Sequence, residues 1–389
     1  MSSDAKAALP ALSPARRLAA VTLAAAALTL GAAGCSGGAR APGPTASPGH
    51  ARPQPVAQCA HVSGPFTDQG GTVRQRDGRA YVPYGITVTG LAHADYQRYL
   101  AGDARQILAT ALFWCANTVR IQVAQDNLVG ADGTAGSGRF MEAIRAEVAR
   151  AQRYQLVVVL CAQTEDVGHQ SGPTAATVKF WHALAGIYGR DPQVVFDLFN
   201  EPRNDPGTPA QDWRMWQWGG TYRGTRYLGM QQLAEAVRSA GARNLLWVEG
   251  PQHAASLAGL AGHLITSYGP LVYSVHHPAG AHNPAAWSRD FGWLATQHIA
   301  PIVIGEWSNY AAAKSECWPD AAAAVPAFLH YLAEHQIGMT AWTLRPGVMV
   351  KSRNLSEPTT ITSNWACRDG LDQGAGYLVM TWFRQQNHA

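Results

Sequence analysis

Leu156-Val157-Val158-Val159-Leu160 is an uninterrupted apolar run, three of its five residues β-branched, and it ends in Cys161-Ala162-Gln163. A strand with one wet face alternates apolar and polar side chains. An unbroken apolar run instead fits a strand covered on both faces, as in a parallel sheet flanked by helices. Similar runs occur at Ala80–Thr87, Thr118–Val123, Val194–Phe199, Leu245–Val248, Leu271–Val275, Ile302–Ile304 and Met339–Leu344, giving eight whose starts lie 26 to 51 residues apart. Between them, Phe140–Tyr154, Tyr227–Ala240 and Ala285–His298 carry apolar residues at helical spacing. Strand then helix, eight times over, predicts a (β/α)8 TIM barrel. The alternative is an open doubly wound sheet, but that fold calls for a Gly-rich phosphate turn after an early strand, and the sequence has none.

Composition sets the same bounds. The chain has 389 residues, 47% hydrophobic and 14% charged, enough for one large domain with a full core. No apolar run reaches the roughly 20 residues that a membrane-spanning helix needs. Residues 1–58 hold Lys6, Arg16, Arg17, Arg40 and Arg52 against Asp4, which accounts for the whole net charge of +4. The remainder is formally neutral, so nothing points to nucleic acid as a partner, and an uncharged one is expected.

Arg16 and Arg17 precede an apolar stretch, Leu18 to Leu30, followed by small residues up to Gly34, which reads as a secretory signal over residues 1–34. The run Ala32-Ala33-Gly34-Cys35 resembles the lipobox of bacterial lipoproteins, with Ala32 where Leu is usual; cleavage by the ordinary signal peptidase, with Cys35 incidental, is the other reading. Membrane contact is then expected only through a lipid on Cys35. Residues 35–58 are rich in Pro, Gly, Ala and Ser and form a linker, leaving 59–389 as the folded domain. An oxidising compartment permits disulfides, with Cys317 and Cys367 one candidate pair and Cys59 and Cys115 another.

On a barrel, chemistry belongs to the residues just after each strand. Asn200-Glu201-Pro202 follows the fourth run and Gly305-Glu306-Trp307 the seventh, so each puts a carboxylate at the mouth. From these motifs the chain resembles glycoside hydrolase family 5, the cellulase family, over about residues 60–387. The resemblance also takes in Arg120 on the second strand, His276 on the sixth, Trp342 on the eighth and Gly374-Ala375-Gly376 before the last helix. It implies a retaining glycosidase acting on a polysaccharide of the cellulose, β-glucan or mannan type, with no cofactor. Glu306 is then the nucleophile, kept ionised by Arg120, and Glu201 the acid/base, with a raised pKa. Arg120, Asn200, His276, Trp307 and Trp342 become substrate-binding residues.

Two of the family's polar helpers are missing. The third strand runs into Cys161-Ala162-Gln163 instead of a His, and the sixth reads His276-His277-Pro278 without a Tyr two residues after His276. Gln163, Glu165 or His277 are the expected substitutes. His276 and His277 point to opposite strand faces and cannot share an ion, and no Cys or His pair has zinc spacing, so no metal is expected. Asp197 shares the parity of Glu201 and is read as structural. A carbohydrate-binding lipoprotein without turnover stays open as the second function; a serine hydrolase is weak, since no Gly-x-Ser-x-Gly elbow occurs.

Overall fold

The computed structural model describes residues 59–129, 138–164, 172–203, 207–277, 283–308, 321–360 and 374–388. Cys317, Cys367, Glu165 and the whole of 1–58 lie outside the described residues, and with them the proposed signal, linker and second disulfide.

Eight parallel strands close into a barrel: β1 (Tyr84–Val88), β2 (Thr118–Ala124), β3 (Val157–Gln163), β4 (Val194–Asp197), β5 (Leu246–Glu249), β6 (Leu271–Val275), β7 (Ile302–Trp307) and β8 (Gly338–Trp342). The ring closes where Met339 to Trp342 of β8 pair with Tyr84 to Thr87 of β1. Each expected run contains or overlaps one strand, and the main shifts are at strand ends. Helices at Leu100–Leu112, Gly138–Arg153, Ala175–Tyr188, Met230–Ser239, Ala321–Glu334 and Gly376–Gln386 cover the outside. Local chemistry starts several of them: the Thr174 hydroxyl accepts the Ala176 amide, and Thr208 caps Pro209–Trp218 with Pro at the first turn.

The two-residue strand period divides the core. Leu156, Val158, Leu160 and Ala162 face the helices in the larger apolar cluster, while Val157 and Val159 face the barrel interior with Val195, Trp247, Val272 and Val303. Followed toward the carboxyl ends, the inward positions change from apolar to ionisable: Val159 gives way to Cys161, Val195 to Asp197 and Trp247 to Glu249, all fully buried. The closed end is sealed by a hairpin, Thr67–Gln69 with Thr72–Arg74, whose Val73 joins the interior cluster. Cys59 and Cys115 form a disulfide there, one of the pairs expected from the sequence, while Cys161 is a buried free thiol.

Candidate active site

The polar upper layer is organised by Arg120 on β2, which is fully buried, so it braces carboxylates instead of meeting a substrate as expected from the sequence. Its Nε donates to Asp197 Oδ2 at 2.8 Å, Nη1 to Glu306 Oε2 at 2.8 Å, and Nη2 to Asn200 Oδ1 at 2.7 Å and Glu249 Oε1 at 2.8 Å. A buried guanidinium is tolerated only with such partners, and here three carboxylates surround it. Two residues on and facing the same way, Gln122 donates from Nε2 to Glu306 Oε2 at 2.9 Å and to Asn200 Oδ1 at 3.2 Å. Cys161 Sγ also points to Asn200 Oδ1, at 3.9 Å, so among the described residues the Asn200 Nδ2 amide is the donor left over.

Glu306 owes its direction to an irregularity. Ile302 and Ile304 face the helices, so strict alternation would turn Glu306 outward as well. The register of β7 on β8 slips between Ile304 and Trp307, which spends one extra residue and brings both Gly305 and Glu306 to the inner side. Gly305 fits there because it has no side chain: a Cβ would run into the Ser274 hydroxyl. The Thr340 hydroxyl donates to the Gly305 carbonyl and fixes the bulge from β8.

Glu201 stands just past β4 with φ of +48°, a left-handed conformation uncommon for a residue with a side chain. Its amide donates to Glu249 Oε2 at 2.6 Å, and its Oε1 lies 3.1 Å from His276 Nδ1. His253 Nδ1 lies 3.8 Å from Glu201 Oε2. His253 is carried by a loop in which Gln252, His253 and Ala254 all have positive φ, anchored by Gln252 Nε2 donating to Asp212 Oδ2 at 2.6 Å. One oxygen of Glu201, one nitrogen of His276 and one oxygen of Glu306 lie within 4.8 Å of one another, so the two sequence-selected carboxylates do converge on one pocket.

The proton affinities run opposite to the sequence expectation. Burial pushes the Glu306 carboxyl up, and the charges of Glu201 and Glu249 add to the push that His276 and Arg120 only partly offset. For Glu201 burial also pushes upward, but contacts from His253 and His276 outweigh it and hold the carboxyl below the usual range. His253 makes the larger single contribution and His276 the next, and His276 is itself shifted. Burial alone would lower its pKa, yet Glu249, Glu201 and Glu306 around it raise it to about 10. The cluster therefore keeps a proton on the imidazole beside Glu201. Asp197 is lifted to about 7, by burial first and the Glu249 charge second.

Trp307 is a second correction. Expected as a sugar contact, it is only 2% exposed and stacks on Phe328 with ring centroids 6.1 Å apart, because the bulge that turns Glu306 inward turns Trp307 to the helices. Trp342 is half-buried at the rim with the Arg345 guanidinium 5.0 Å from its ring centroid. Trp216 packs inside, donating from Nε1 to the Glu249 carbonyl at 2.7 Å, while Trp218 is 54% exposed. His277 turns away from the pocket to Asp290 Oδ2 at 3.2 Å, as strand parity implied. The missing Tyr is therefore matched neither by His277 nor by Gln163, whose Oε1 accepts its neighbour Thr164's amide; Gln122 makes the contact to Glu306. Gln122 and Glu249 are both marked in the sequence. Gln122 shares parity with Arg120, and Glu249-Gly250-Pro251 is a strand-end acid much like Asn200-Glu201-Pro202.

A second compact donor set, Cys161, Asp197 and Glu249, is fully buried. Arg120 contacts all three, reaching Cys161 Sγ at 3.1 Å, so a cation already sits among them. In the Glu201, His276 and Glu306 set, both ring nitrogens of His276 are engaged by carboxylates.

A closed parallel barrel with two convergent carboxylates at its carboxyl-terminal mouth, one braced by an arginine and the other by histidine, has the architecture of a barrel glycoside hydrolase. Comparison narrows the class: a family model described as cellulase (glycosyl hydrolase family 5) matches residues 80–347, and the chain belongs to this family. An endoglucanase of Paenibacillus polymyxa is 27% identical over 210 residues, 45% of this chain and 48% of that protein. The manganese dependent endoglucanase Eg5A of Phanerodontia chrysosporium is 30% identical over 112 residues, 28% of this chain and 24% of its own. The chain thus spans about half the length of the first relative and a quarter of the second. Among solved structures, the Pyrococcus horikoshii endocellulase bound to cellotetraose aligns with a TM-score of 0.58 at 12% identity, over 85% of this chain and 99% of that one. The Saccharophagus degradans β-glucanase with cellotetraose gives 0.59 at 15% identity, over 85% and 94%. At such identities these two share the fold.

Proposed function

We propose that the chain is an exported retaining endo-β-glycosidase that cleaves a β-glucan of the cellulose type by double displacement. The observation that carries this is the convergence of Glu201 and Glu306 within 4.8 Å. One oxygen of each lying that close suits the roughly 5–5.5 Å carboxyl spacing of a retaining site better than the roughly 6.5–9.5 Å of an inverting one. Glu306, with two donors on Oε2, attacks the anomeric carbon. Glu201 gives a proton to the departing oxygen, then takes one from the water that releases the glycosyl-enzyme. Asn200 Nδ2 is placed for the 2-hydroxyl, and Trp342 supplies an apolar face for a pyranose ring. The relatives named as endoglucanases and the cellotetraose complexes of similarly folded proteins support the glucan class.

The signal-like residues 1–34 and the 35–58 linker support export and attachment at the cell surface, with Cys35 as the lipid site. The test is release of reducing ends from a soluble glucan and mannan panel, with product stereochemistry followed by NMR. Retained configuration is expected on β-glucan. Inverted product overturns the mechanism, and tight binding with no release from any member favours the non-catalytic carbohydrate-binding reading.

A further inference from the structure

We propose that Glu249 is a positioning residue that holds His276 as the proton store of Glu201, so that the acid works as a Glu201–His276–Glu249 relay rather than as a lone carboxyl. This deepens, and rests on, the reading of Glu201 as the acid/base.

The geometry is specific. Glu249 ends β5 and is fully buried. Its Oε2 accepts the Glu201 amide at 2.6 Å, which pins the left-handed backbone that aims Glu201. Its Oε1 lies 3.2 Å from His276 Nε2, a charge contact rather than an aligned hydrogen bond, and accepts Arg120 Nη2 at 2.8 Å. The Trp216 indole holds the Glu249 carbonyl at 2.7 Å. His276 is itself fixed, its amide donating to the Ala254 carbonyl at 2.8 Å and its side chain 5% exposed.

An imidazole whose two nitrogens both face carboxylates is placed to be doubly protonated, since a neutral ring offers only one N–H. The charged groups around it are Glu201 and Glu249 in contact, Glu306, Asp197 and Arg120 beyond them, and His253 on the far side of Glu201. Of the four carboxylates, Glu249, Glu201 and Glu306 raise the pKa of His276 to about 10 against the downward push of burial.

The steps balance. A proton leaves His276 Nδ1 for Glu201 Oε1 across 3.1 Å and passes to the glycosidic oxygen, while Glu306 bonds the anomeric carbon and the leaving sugar keeps the C–O electron pair. His276 is then neutral. In the second half, Glu201 takes a proton from the attacking water and returns it to His276, and the C–O bond to Glu306 breaks as the carboxylate leaves. No proton is gained or lost over the cycle beyond those of water and product.

The experiment compares the full chain with Glu249→Gln and Glu249→Asp. Histidine is labelled with nitrogen-15, and the His276 signal is assigned with a His276→Gln sample. In the wild type, His276 is expected to remain imidazolium through pH 8. In Glu249→Gln its midpoint is expected to fall by one unit or more, the size of effect an adjacent opposite charge exerts, and Glu249→Asp is expected to recover part of the shift. On a soluble β-glucan, the alkaline limb of kcat/KM is expected to move down with it and the optimum rate to drop 10- to 100-fold. An unmoved His276 midpoint, or an unmoved limb under a lower rate, overturns the relay and leaves Glu249 merely structural. If Glu249→Gln does not fold, the wild-type titration decides, and a midpoint in the ordinary histidine range refutes the store. Because the NMR titration needs no turnover, a shifted midpoint in a protein that cleaves nothing sinks the hydrolase reading while sparing the charge-holding role of Glu249.

Discussion

Gln122 Nε2 and Arg120 Nη1 meet on the same oxygen of Glu306, at 2.9 and 2.8 Å, although Gln122 is separated from Glu306 by 184 residues of chain. Two donors on one carboxylate oxygen stabilise its ionised form, the form the proposed nucleophile needs, against the upward push of burial. Replacing Gln122 with Met keeps volume and removes the donor. We expect kcat to fall about 10- to 100-fold, the scale of about 1.4 to 2.7 kcal/mol for a lost charge-assisted hydrogen bond. KM should stay within a few-fold and melting should be little changed. Steady-state kinetics on a soluble glucan checks this, and an unaltered kcat would show that Arg120 alone sustains Glu306.

Glu201 and Glu306 should separate by leaving group. Glu306→Gln removes the attacking oxygen and should abolish turnover of every substrate. Glu201→Gln should cripple polysaccharide hydrolysis but spare the first step on an aryl glycoside whose leaving group needs no proton, so a burst of phenol release is expected without steady turnover. Stopped-flow absorbance reads the burst. Its absence in Glu201→Gln, with the fold intact, would take the acid role away from Glu201.

The barrel was legible because unbroken apolar runs such as Leu156–Leu160 leave little choice but a doubly covered strand, and because Glu201 and Glu306 fall just past the fourth and seventh of eight such runs. What lay hidden was directional. Alternation from Ile302 and Ile304 cannot reveal that a one-residue slip brings Glu306 inward and sends Trp307 out to Phe328. Nor can it show that the loop bearing His253 adopts three left-handed residues in a row. The protonation order is hidden for a related reason: it depends on Glu249 at the end of β5 and Glu201 just past β4 closing on His276, a meeting that no local pattern contains.

The two tryptophans expected from the sequence as sugar contacts should therefore behave differently. Trp307→Phe should lower stability by about 1–3 kcal/mol through lost packing on Phe328, with KM for glucan within about twofold. Trp342→Ala should leave melting nearly unchanged and raise KM several-fold if its partly open ring is the apolar face proposed for a sugar. A larger KM change for Trp307 than for Trp342 would reverse the assignment.

Exhaustive dialysis against EDTA should leave the rate on glucan within about twofold. Arg120 already supplies the positive charge among Cys161, Asp197 and Glu249, and His276 is held by two carboxylates. Loss of activity restored by manganese would instead align the chain with its relative named for manganese dependence.

Asp103, on the first outer helix, is 2% exposed, and its Oδ2 is buried without a hydrogen-bond partner. Burial chiefly, and the neighbouring Glu147 charge secondarily, lift its pKa from 3.8 to about 7, against the Gly90 amide that donates to it. A carboxyl whose folded pKa lies above the unfolded value binds its proton more tightly in the native state. Its stabilising contribution is complete below about pH 4 and is lost as pH rises toward and through about 7. Asp103→Asn removes the ionisation. It should melt close to the wild type at pH 4 and gain about 1–3 kcal/mol at pH 8, the discount from the full shift reflecting an amide hydrogen left without an acceptor. Thermal melts at the two pH values read the difference directly. An equal offset at both would mean that Asp103 does not titrate in this window.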